Sequence, residues 1–387
     1  MIVGVPVESN PHERRVALVP DLLPVLSKAG LEVLLEKGAG EKAGFSDDAY
    51  RQRGARVVTD RAELFSVADM LLQVHGFTNN PQPTLNWLRA GQVVVGLLNP
   101  WGAPLAAQEL ATRGVTAFAL ELLPRLSRAQ PMDALSAMAT IAGYKAVLLA
   151  AERLPKIFPM MITAAGTITP ARLFVVGAGI AGLQAIATAR RLGAVVQAYD
   201  VRPAVKEQVE SLGAKFVELK LETAEAEATG GYAKAMGEAF YRRQREMMTQ
   251  VVADSDVVIT TAAIPGKKAP VLITQEMVKG MRPGSIIVDL AAETGGNCEL
   301  TRSGETVNAH GVTIMGPVNL PSTVPYHASQ MYAKNVTNFL QNLVKNGELR
   351  MNLEDPIIRD TLLTHEGEVV NSQVRELLGL SVAAPAT

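Results

Sequence analysis

A glycine-rich turn between a short strand and a helix constrains the fold of this chain most strongly. Arg172–Val176 is apolar and β-branched, and GAGIAG (177–182) follows it. A helical pattern over Ile180–Leu192 and a strand pattern over Ala194–Tyr199 come next. In this setting the first glycine permits a tight turn, the second lets a pyrophosphate approach, and the third allows close helix–strand packing. The sequence therefore predicts a parallel βαβ unit that binds dinucleotide phosphates at a helix N-terminus.

The acidic residue after the second strand predicts which dinucleotide is preferred. Asp200 follows Gly182 by 18 residues, within reach of the adenosine ribose. A carboxylate there accepts from the 2′-hydroxyl and repels a 2′-phosphate, which favours NAD(H) over NADP(H). Two alternatives stay open: Arg202 serves a 2′-phosphate, or the glycine turn is purely structural. The expected nucleotide-binding residues in this region are Gly177, Ala178, Gly179, Ile180, Gly182, Asp200, Val201 and Arg202.

A later strand pattern supplies two further candidate contacts. Thr261 and Ala262 end the pattern Asp256–Thr261. Dinucleotides bind at the carboxyl edge of open α/β sheets, and both side chains are small enough to let adenosine approach. The alternative is that they are ordinary residues at the end of a strand.

Composition excludes several classes of function. Lys and Arg number 37 and Asp and Glu 38, so no charge imbalance indicates a nucleic acid or an anionic membrane as partner. Cys298 is the one cysteine, which excludes an internal disulfide and multi-cysteine metal sites, and we expect it to be inert. No metal site is expected, because no pair of histidines has ligand spacing on a helix. The histidines are His12, His75, His310, His327 and His365.

The sequence shows no export signal, and no transmembrane helix is evident. The N-terminal residues lack a basic segment followed by an apolar run. The charge-free stretches Gly91–Gln108, Ile157–Ala171 and Leu173–Ala189 are interrupted and fall short of the about 20 residues that a span needs. We therefore expect membrane association only through partners.

Strand and helix patterns alternate in two blocks, which is typical of parallel sheets covered by helices. We predict an α/β protein with two Rossmann-like, doubly wound parallel-sheet domains and a cleft between them. The first block contains strand patterns at Met1–Val7, Leu31–Glu36, Arg56–Val58, Met70–Val74, Val93–Leu98 and Val115–Leu120. The second block adds Lys215–Leu219, Asp256–Thr261, Ser285–Leu290 and Val312–Met315.

Two long helical patterns flank the second block, at Leu135–Arg153 and His327–Val344. We expect these helices to carry the chain out of the first domain and back into it. The first domain is then discontinuous, comprising residues 1–136 and 327–387, and the NAD(H)-binding domain comprises residues 137–326. The alternative is a tandem of two domains with a small C-terminal cap.

Several long segments resemble the NAD(H)-binding subunit of proton-translocating NAD(P) transhydrogenase, and together they cover nearly the whole chain. They are RLSRAQPMDALS (125–136), AGYKAV (142–147), the glycine turn, YDVRPAVKEQVESLGAKFV (199–217), TGGYAKAM (229–236), IPGKKAPVLIT (264–274), DLAAETGGNCEL (289–300) and NLEDPIIRDTLLTHEGEVV (352–370). The resemblance implies direct hydride transfer between NADH bound here and NADP⁺ on a partner subunit. It also implies coupling to proton translocation in a membrane subunit.

The resemblance further implies roles for single residues. Arg125, Asp133 and Ser136 would hold the nicotinamide end of NAD(H), and Gln130 would reach towards the NADP(H) of another subunit. The residues alone leave a surface ion pair of Arg125 with Asp133 as an alternative.

An acidic segment, ETAEAEATGG (222–231), lies between a strand pattern and a helical pattern. A connection of this length is uncommon unless it is functional or disordered. By the resemblance, Gly231 and Tyr232 belong to a flap that closes over bound nucleotide. A solvated helix start and a packed surface aromatic are the alternatives.

The resemblance also implies an assembly and a location. We expect a homodimer that docks an NADP(H)-binding beta subunit and a membrane-spanning subunit. The chain would be cytoplasmic, peripheral on the cytoplasmic face of the inner (plasma) membrane. The isolated chain would bind NADH and catalyse little.

Alanine dehydrogenase shares this fold, and it is the main alternative. Arg15 stands where that enzyme would hold the substrate carboxylate. However, residues 72–75 (LQVH) offer no lysine, residues 96–99 (GLLN) offer no histidine, and Glu293 stands where that enzyme tends to carry aspartate. Oxidation of an amine needs a proton acceptor, whereas hydride transfer between nicotinamides needs none. The sequence therefore favours transhydrogenase; a non-enzymatic NAD-binding regulator is a third possibility.

Overall fold

Most of the described strands form two large sheets, and the remaining four form two-stranded sheets. The structure is a computed structural model that describes residues 1–76, 84–218, 237–264 and 266–381. Its strands are β1 (Ile2–Val5), β2 (Glu32–Glu36), β3 (Arg56–Val58), β4 (Met70–His75), β5 (Val93–Leu97), β6 (Thr116–Ala119), β7 (Met161–Thr163), β8 (Gly166–Ile168), β9 (Arg172–Val176), β10 (Val195–Tyr199), β11 (Lys215–Phe216), β12 (Val257–Thr260), β13 (Ile286–Asp289), β14 (Thr306–Ala309), β15 (Val312–Met315), β16 (Val344–Lys345), β17 (Glu348–Leu349), β18 (Leu362–His365) and β19 (Glu368–Val369).

Helices separate most of these strands. They are α1 (Leu23–Lys28), α2 (Asp47–Gln52), α3 (Arg61–Val67), α4 (Pro104–Thr112), α5 (Ala134–Arg153), α6 (Ile180–Arg191), α7 (Lys206–Ser211), α8 (Glu238–Ala253), α9 (Gln275–Gly280), α10 (Pro325–Leu343), α11 (Pro356–Thr361) and α12 (Ser372–Leu377). The chain divides into two compact units, Met1–Met138 with Pro321–Thr387, and Ala139–Leu320.

The first unit contains an eight-stranded sheet in the order β19-β18-β6-β5-β4-β1-β2-β3. Strands β1 to β6 pair in parallel, and β4 and β5 are almost entirely buried, as apolar strands covered on both faces should be. The chain order reverses between β1 and β4, which is a topological switch point. The late strand β18 adds antiparallel to β6, with Thr364 opposite Ala117.

The second unit contains a seven-stranded sheet in the order β11-β10-β9-β12-β13-β15-β14. All its pairs are parallel except β14 with β15. Val175 of β9 packs with residues of α5 and α6, whereas its neighbour Phe174 packs with α8 and α9. Helices therefore cover both faces of the sheet, and the predicted α/β class with parallel-dominated sheets is confirmed. The switch point lies between β9 and β12.

Helix α5 is long and apolar, although the sequence shows no evident transmembrane helix. In the described residues it is the one helix long and apolar enough to cross a membrane by length and composition, a test that core helices of water-surrounded domains also pass. The sequence of α5 is not a charge-free stretch, because it contains Lys145. A Cβ on Gly143 would lie only 2.1 Å from the carbonyl oxygen of Ala181, so α5 passes very close to the start of α6.

Candidate functional site

The glycine turn connects β9 to α6 at the carboxyl edge of the second unit's sheet. Gly177 has φ of 98°, a conformation that favours glycine, and its N–H donates to the carbonyl oxygen of Tyr199 at 2.8 Å. A Cβ on Gly177 would lie 2.7 Å from Thr261 Oγ1, and a Cβ on Gly182 would lie 1.9 Å from the carbonyl oxygen of Gly177. Packing within the protein therefore requires both of these glycines.

The middle glycine of the turn is not required by packing. Gly179 has φ of −76° and ψ of −167°, which any residue adopts. Among the described residues, the nearest atom to a Cβ there would be Arg202 Nη2, at 4.0 Å. Gly179 is also the N-cap of α6, and no side chain caps the helix. The start of α6 therefore has no side-chain cap from the described residues, and an uncapped helix N-terminus suits a phosphate group.

Asp200 and Arg202 form a tight ion pair beside the turn. Asp200 Oδ2 accepts from the N–H of Ala178 at 2.7 Å and from Arg202 Nη2 at 2.8 Å. Its Oδ1 accepts from the Arg202 backbone N–H at 2.8 Å and from Arg202 Nε at 2.9 Å. These four bonds use the acceptor sites of a carboxylate. In this conformation Asp200 holds the turn, so its predicted bond to a ribose needs Arg202 to give up a contact.

Thr261 and Ala262 lie directly after β12, next to the turn. Thr261 Oγ1 donates to the carbonyl oxygen of Gly177 at 2.8 Å. The N–H of Ala262 donates to Asn297 Oδ1 at 3.0 Å, and Asn297 Nδ2 donates to the carbonyl oxygens of Ala262 and Pro270 at 2.8 and 2.9 Å. Both residues therefore support the shape of the turn, and their contact with adenosine stays a prediction.

The buried carboxylate of Asp289 is a component of the site that sequence reasoning missed. Asp289 has no exposed surface. Its carboxylate accepts five hydrogen bonds, at 2.7 to 3.0 Å, from Thr260 Oγ1, Ala291 N, Asn297 N, Cys298 N and Thr301 Oγ1. Asp289 thus holds Asn297, which in turn holds Ala262. The available signal was an acidic residue at the end of a wholly apolar strand.

The residues assigned to the nicotinamide end lie on one segment of the first unit. Arg125 and Gln130 are exposed, and a 3₁₀ helix covers Ser127–Met132. Asp133 Oδ1 accepts from the N–H of Ser136 at 2.9 Å, and Ser136 Oγ donates to Asp133 Oδ2 at 2.5 Å. Asp133 therefore caps the start of α5. The structure brings Asp133 and Ser136 together, and their contacts with a nicotinamide stay predictions.

The predicted flap lies outside the described residues. This concerns Gly231, Tyr232 and the acidic segment 222–231. Among the residues that the structure does describe, no group of three His, Cys, Asp or Glu side chains is arranged to hold a metal ion.

A buried ionic cluster occupies the switch point of the first unit. Arg15 Nε and Nη2 each donate to a carboxylate oxygen of Glu13 at 2.8 Å, and His75 Nε2 lies 3.2 Å from Glu13 Oε2. Burial opposes ionisation of Glu13, but the hydrogen bonds from Arg15 and His75 prevail and lower the pKa of this carboxyl. Burial and the nearby Glu13 charge raise the pKa of Glu8 to about 7. Glu8 Oε1 accepts from the N–H of Val74 at 2.6 Å.

Glu8→Gln is expected to flatten the dependence of stability on pH. The folded Glu8 keeps its proton up to about pH 7, whereas the unfolded chain loses it near 4.5. The free energy of unfolding therefore falls as pH rises between these values, by up to about 3 kcal/mol. Glutamine keeps the acceptor for Val74 and removes the titration. Urea denaturation at pH 5 to 8 measures the effect. Glu32→Gln, at an exposed position, is the control; equal pH profiles of the two variants would contradict the expectation.

The fold and the glycine turn define a two-unit α/β protein of the dinucleotide-binding class, and comparisons with known proteins give its family. Residues 4–142 match the family "Alanine dehydrogenase/PNT, N-terminal domain", and residues 146–372 match "Alanine dehydrogenase/PNT, C-terminal domain". The chain belongs to the alanine dehydrogenase/PNT family.

Relatives in this family include both transhydrogenase chains and alanine dehydrogenases. The chain is 46% identical over 376 residues to a chain of NAD(P) transhydrogenase subunit alpha from Rhodospirillum rubrum, and the match covers 96% of this chain and 98% of that one. The crystal structure of transhydrogenase from Sinorhizobium meliloti superimposes with a TM-score of 0.86 at 44% identity, over 96% of this chain and all of that one (100%). Alanine dehydrogenase of Bacillus subtilis is 30% identical over 391 residues, covering 98% of this chain and 95% of that enzyme. The predicted resemblance to the transhydrogenase alpha subunit is confirmed.

Proposed function

We propose that this chain is the NAD(H)-binding subunit of a proton-translocating NAD(P) transhydrogenase. The observation that carries the proposal is the open N-terminus of α6 at Gly179, between two glycines that packing requires. The 46% identity to a transhydrogenase alpha-subunit chain supports it. The substrate NADH would rest its pyrophosphate on the N–H groups there and supply the hydride to NADP⁺ held by a beta subunit. The chain would be cytoplasmic and attached to the membrane face through a membrane-spanning subunit that moves the protons.

In this reaction the protein must orient the two nicotinamide rings, and it does not need to supply a general acid or base. A hydride passes from one nicotinamide ring to the other, and neither reacting carbon gains or loses a proton. The protein contributes near-attack geometry and exclusion of side reactions. Arg125 carries several fixed donors suited to carbonyl or phosphate oxygens. We assign Arg125, Asp133 and Ser136 to the nicotinamide end of NAD(H) and Gln130 to the approach of the partner's NADP(H).

Amino-acid dehydrogenation is the second candidate function. The identity to alanine dehydrogenase and the buried Arg15 at the switch point favour it. Against it, a carboxylate of the chain itself, Glu13, already binds Arg15 through two nitrogens. The strand end that would carry the catalytic lysine carries Gln73 and His75.

The proposed function is tested by reduction of an NAD⁺ analogue with NADPH. The pure chain is assayed alone and then mixed with a soluble NADP(H)-binding transhydrogenase domain. We expect activity only in the mixture. NADH binding without activity in the mixture would reject the proposal, and alanine-dependent reduction of NAD⁺ by the chain alone would establish the second candidate.

Arg125→Ala is expected to reduce hydride transfer far more than NADH binding. Arg125 is exposed and lies ahead of the 3₁₀ helix, so its removal should leave the fold intact. We expect a loss of about 100-fold in the transfer rate, since misplacement of a reacting group costs about this much. Single-turnover transfer and NADH fluorescence titration measure the two quantities. Equal losses in both would mean that Arg125 merely anchors NADH.

We also propose that the chain is a homodimer, and an exposed hairpin supports this. Among the described residues, strands β7 and β8 pair only with each other, and an isolated two-stranded hairpin is marginally stable in water. Its apolar side chains are unusually exposed, with Ile162 at 76% and Ile168 at 48%. No charge occurs in Ile157–Ala171. A second copy of the hairpin offers matching free edges and apolar side chains.

Ile162→Lys is therefore expected to shift the dimer towards monomer. In a symmetric contact the substitution is present in both copies, so two charges would be desolvated when the dimer forms. Analytical ultracentrifugation measures the dissociation constant, which should rise at least about tenfold, or roughly 1.4 kcal/mol. Leu105→Lys is the matched control, since Leu105 is 72% exposed on α4 in the first unit. If the Ile162→Lys dimer is as stable as the Leu105→Lys dimer, the hairpin is not part of the interface.

A further inference from the structure

The loop that carries Gln130 is tied to helix α10 by two asparagine side chains. The Nδ2 atoms of Asn335 and Asn338 both donate to the carbonyl oxygen of Pro131, each at 2.9 Å. The two asparagines are three positions apart and so share one face of α10. A carbonyl oxygen has two acceptor sites, and both are filled here. The backbone immediately after Gln130 is therefore fixed.

A second tie lies on the other side of Gln130. The guanidinium of Arg128 binds both carboxylate oxygens of Asp355, and its Nη1 donates to Oδ2 at 3.0 Å. Asp355 also accepts from Asn342 Nδ2 at 3.2 Å and from the N–H of Ile357 at 2.9 Å, where it caps α11. The bond from Arg128 lowers the pKa of Asp355 to about 2, so the carboxylate stays charged at neutral pH. A bidentate pair of this kind fixes direction as well as distance.

Only two residues separate these ties. Ala129 is buried, and Gln130 is exposed. We infer that Asn338, Asn335 and the Arg128–Asp355 pair are positioning residues, which hold the backbone on both sides of Gln130 so that its side chain is presented in one direction to the partner's nucleotide. This inference rests on the proposed function. A loop ordered in advance does not have to be ordered during the encounter with the partner subunit.

The contacts on both sides of Gln130 should affect the kinetics of hydride transfer. The ties act through Gln130, so they should affect hydride transfer and leave NADH affinity unchanged. They should also matter only while Gln130 is present, because a positioning residue has nothing to position in Gln130→Ala. Residues in one network are coupled in this way, whereas independent effects add.

The experiment is a double-mutant cycle with Asn338→Ala and Gln130→Ala in the full chain. Single-turnover hydride transfer is measured with a soluble NADP(H)-binding transhydrogenase domain, and NADH affinity is measured by fluorescence. We expect Asn338→Ala to slow transfer about tenfold, with NADH affinity within about twofold of the unmodified chain. In the Gln130→Ala background the same change should slow transfer less than about twofold. Gln341→Ala, at an exposed position of the same helix, is the control and should behave as the unmodified chain.

Arg128→Gln keeps the test independent of the folding of one variant. Arg128 is half-exposed, and its loss breaks the second tie, so it should reproduce the result of Asn338→Ala. Unchanged transfer in both variants, or equal losses with and without Gln130, would overturn the inference. Absence of transfer in the unmodified chain would instead overturn the proposed function and the inference with it.

Discussion

Gly179→Ala should leave the chain folded and weaken NADH binding by at least about tenfold, or roughly 1.4 kcal/mol. The backbone angles of Gly179 suit alanine, and its Cβ would meet no atom of the described residues closer than 4.0 Å. The new methyl group would occupy the space in front of the α6 N-terminus, where we place the pyrophosphate. Fluorescence titration with NADH measures affinity, and thermal unfolding by circular dichroism measures stability.

Gly182→Ala, in contrast to Gly179→Ala, should mainly lower the stability of the folded chain. Its Cβ would lie 1.9 Å from the carbonyl oxygen of Gly177, so the backbone must shift, at a cost of about 3 kcal/mol. Gly237→Ala is the matched control for Gly179, because Gly237 is also a helix N-cap with extended angles. In the part of the chain that the structure describes, no atom lies within 4 Å of a Cβ at Gly237. If Gly179→Ala binds NADH as tightly as Gly237→Ala does, the pyrophosphate lies elsewhere.

Asp289→Ala should destabilise the second unit by about 3 to 5 kcal/mol. The change leaves five hydrogen-bond donors without their acceptor, four of them in buried bonds, and each unsatisfied buried group costs about 1 to 3 kcal/mol before relaxation. Binding of NADH should weaken as well, because Asn297 is released and no longer holds Ala262 beside the turn. Urea denaturation measures the loss.

The control for Asp289 is Glu305→Ala in the same unit. Glu305 lies at the surface, 3.7 Å from Arg302, and a surface pair of this kind contributes little. If the two variants unfold at the same urea concentration, the hydrogen bonds of Asp289 do not support the fold.

Much of the second unit could be predicted because its signals are local. The apolar run of β9, the three glycines and the helical pattern of α6 follow one another directly, and β9 and β15 have the predicted bounds. Strands β14, β18 and β19, which lie at or next to a sheet edge, were not predicted. Strand β14 pairs with β15, β18 pairs with β6, and β19 pairs with β18. Pairing with β15 or β6 is a tertiary effect that a sequence window does not contain.

The candidate site shows the same limit at the level of atoms. The sequence placed Asp200 and Thr261 next to the glycine turn, and both lie there. It could not show that the carboxylate of Asp200 faces Arg202 and Ala178, or that Thr261 donates to Gly177, because side-chain direction depends on the folded backbone. The sequence assigns no role to Asp289 or Asn297, since their hydrogen-bond partners come from several segments of the chain.

The late position of β18 in the chain affects the order in which the two units can fold during synthesis. The sheet of the first unit is completed only when β18 pairs with β6, about 250 residues after β6 in the chain, and β19 pairs with β18. The second unit is continuous in sequence, from Ala139 to Leu320. During synthesis, therefore, the middle of the chain emerges from the ribosome complete, while the earlier segment still waits for its last strands. The segment that is translated first is the last to be finished.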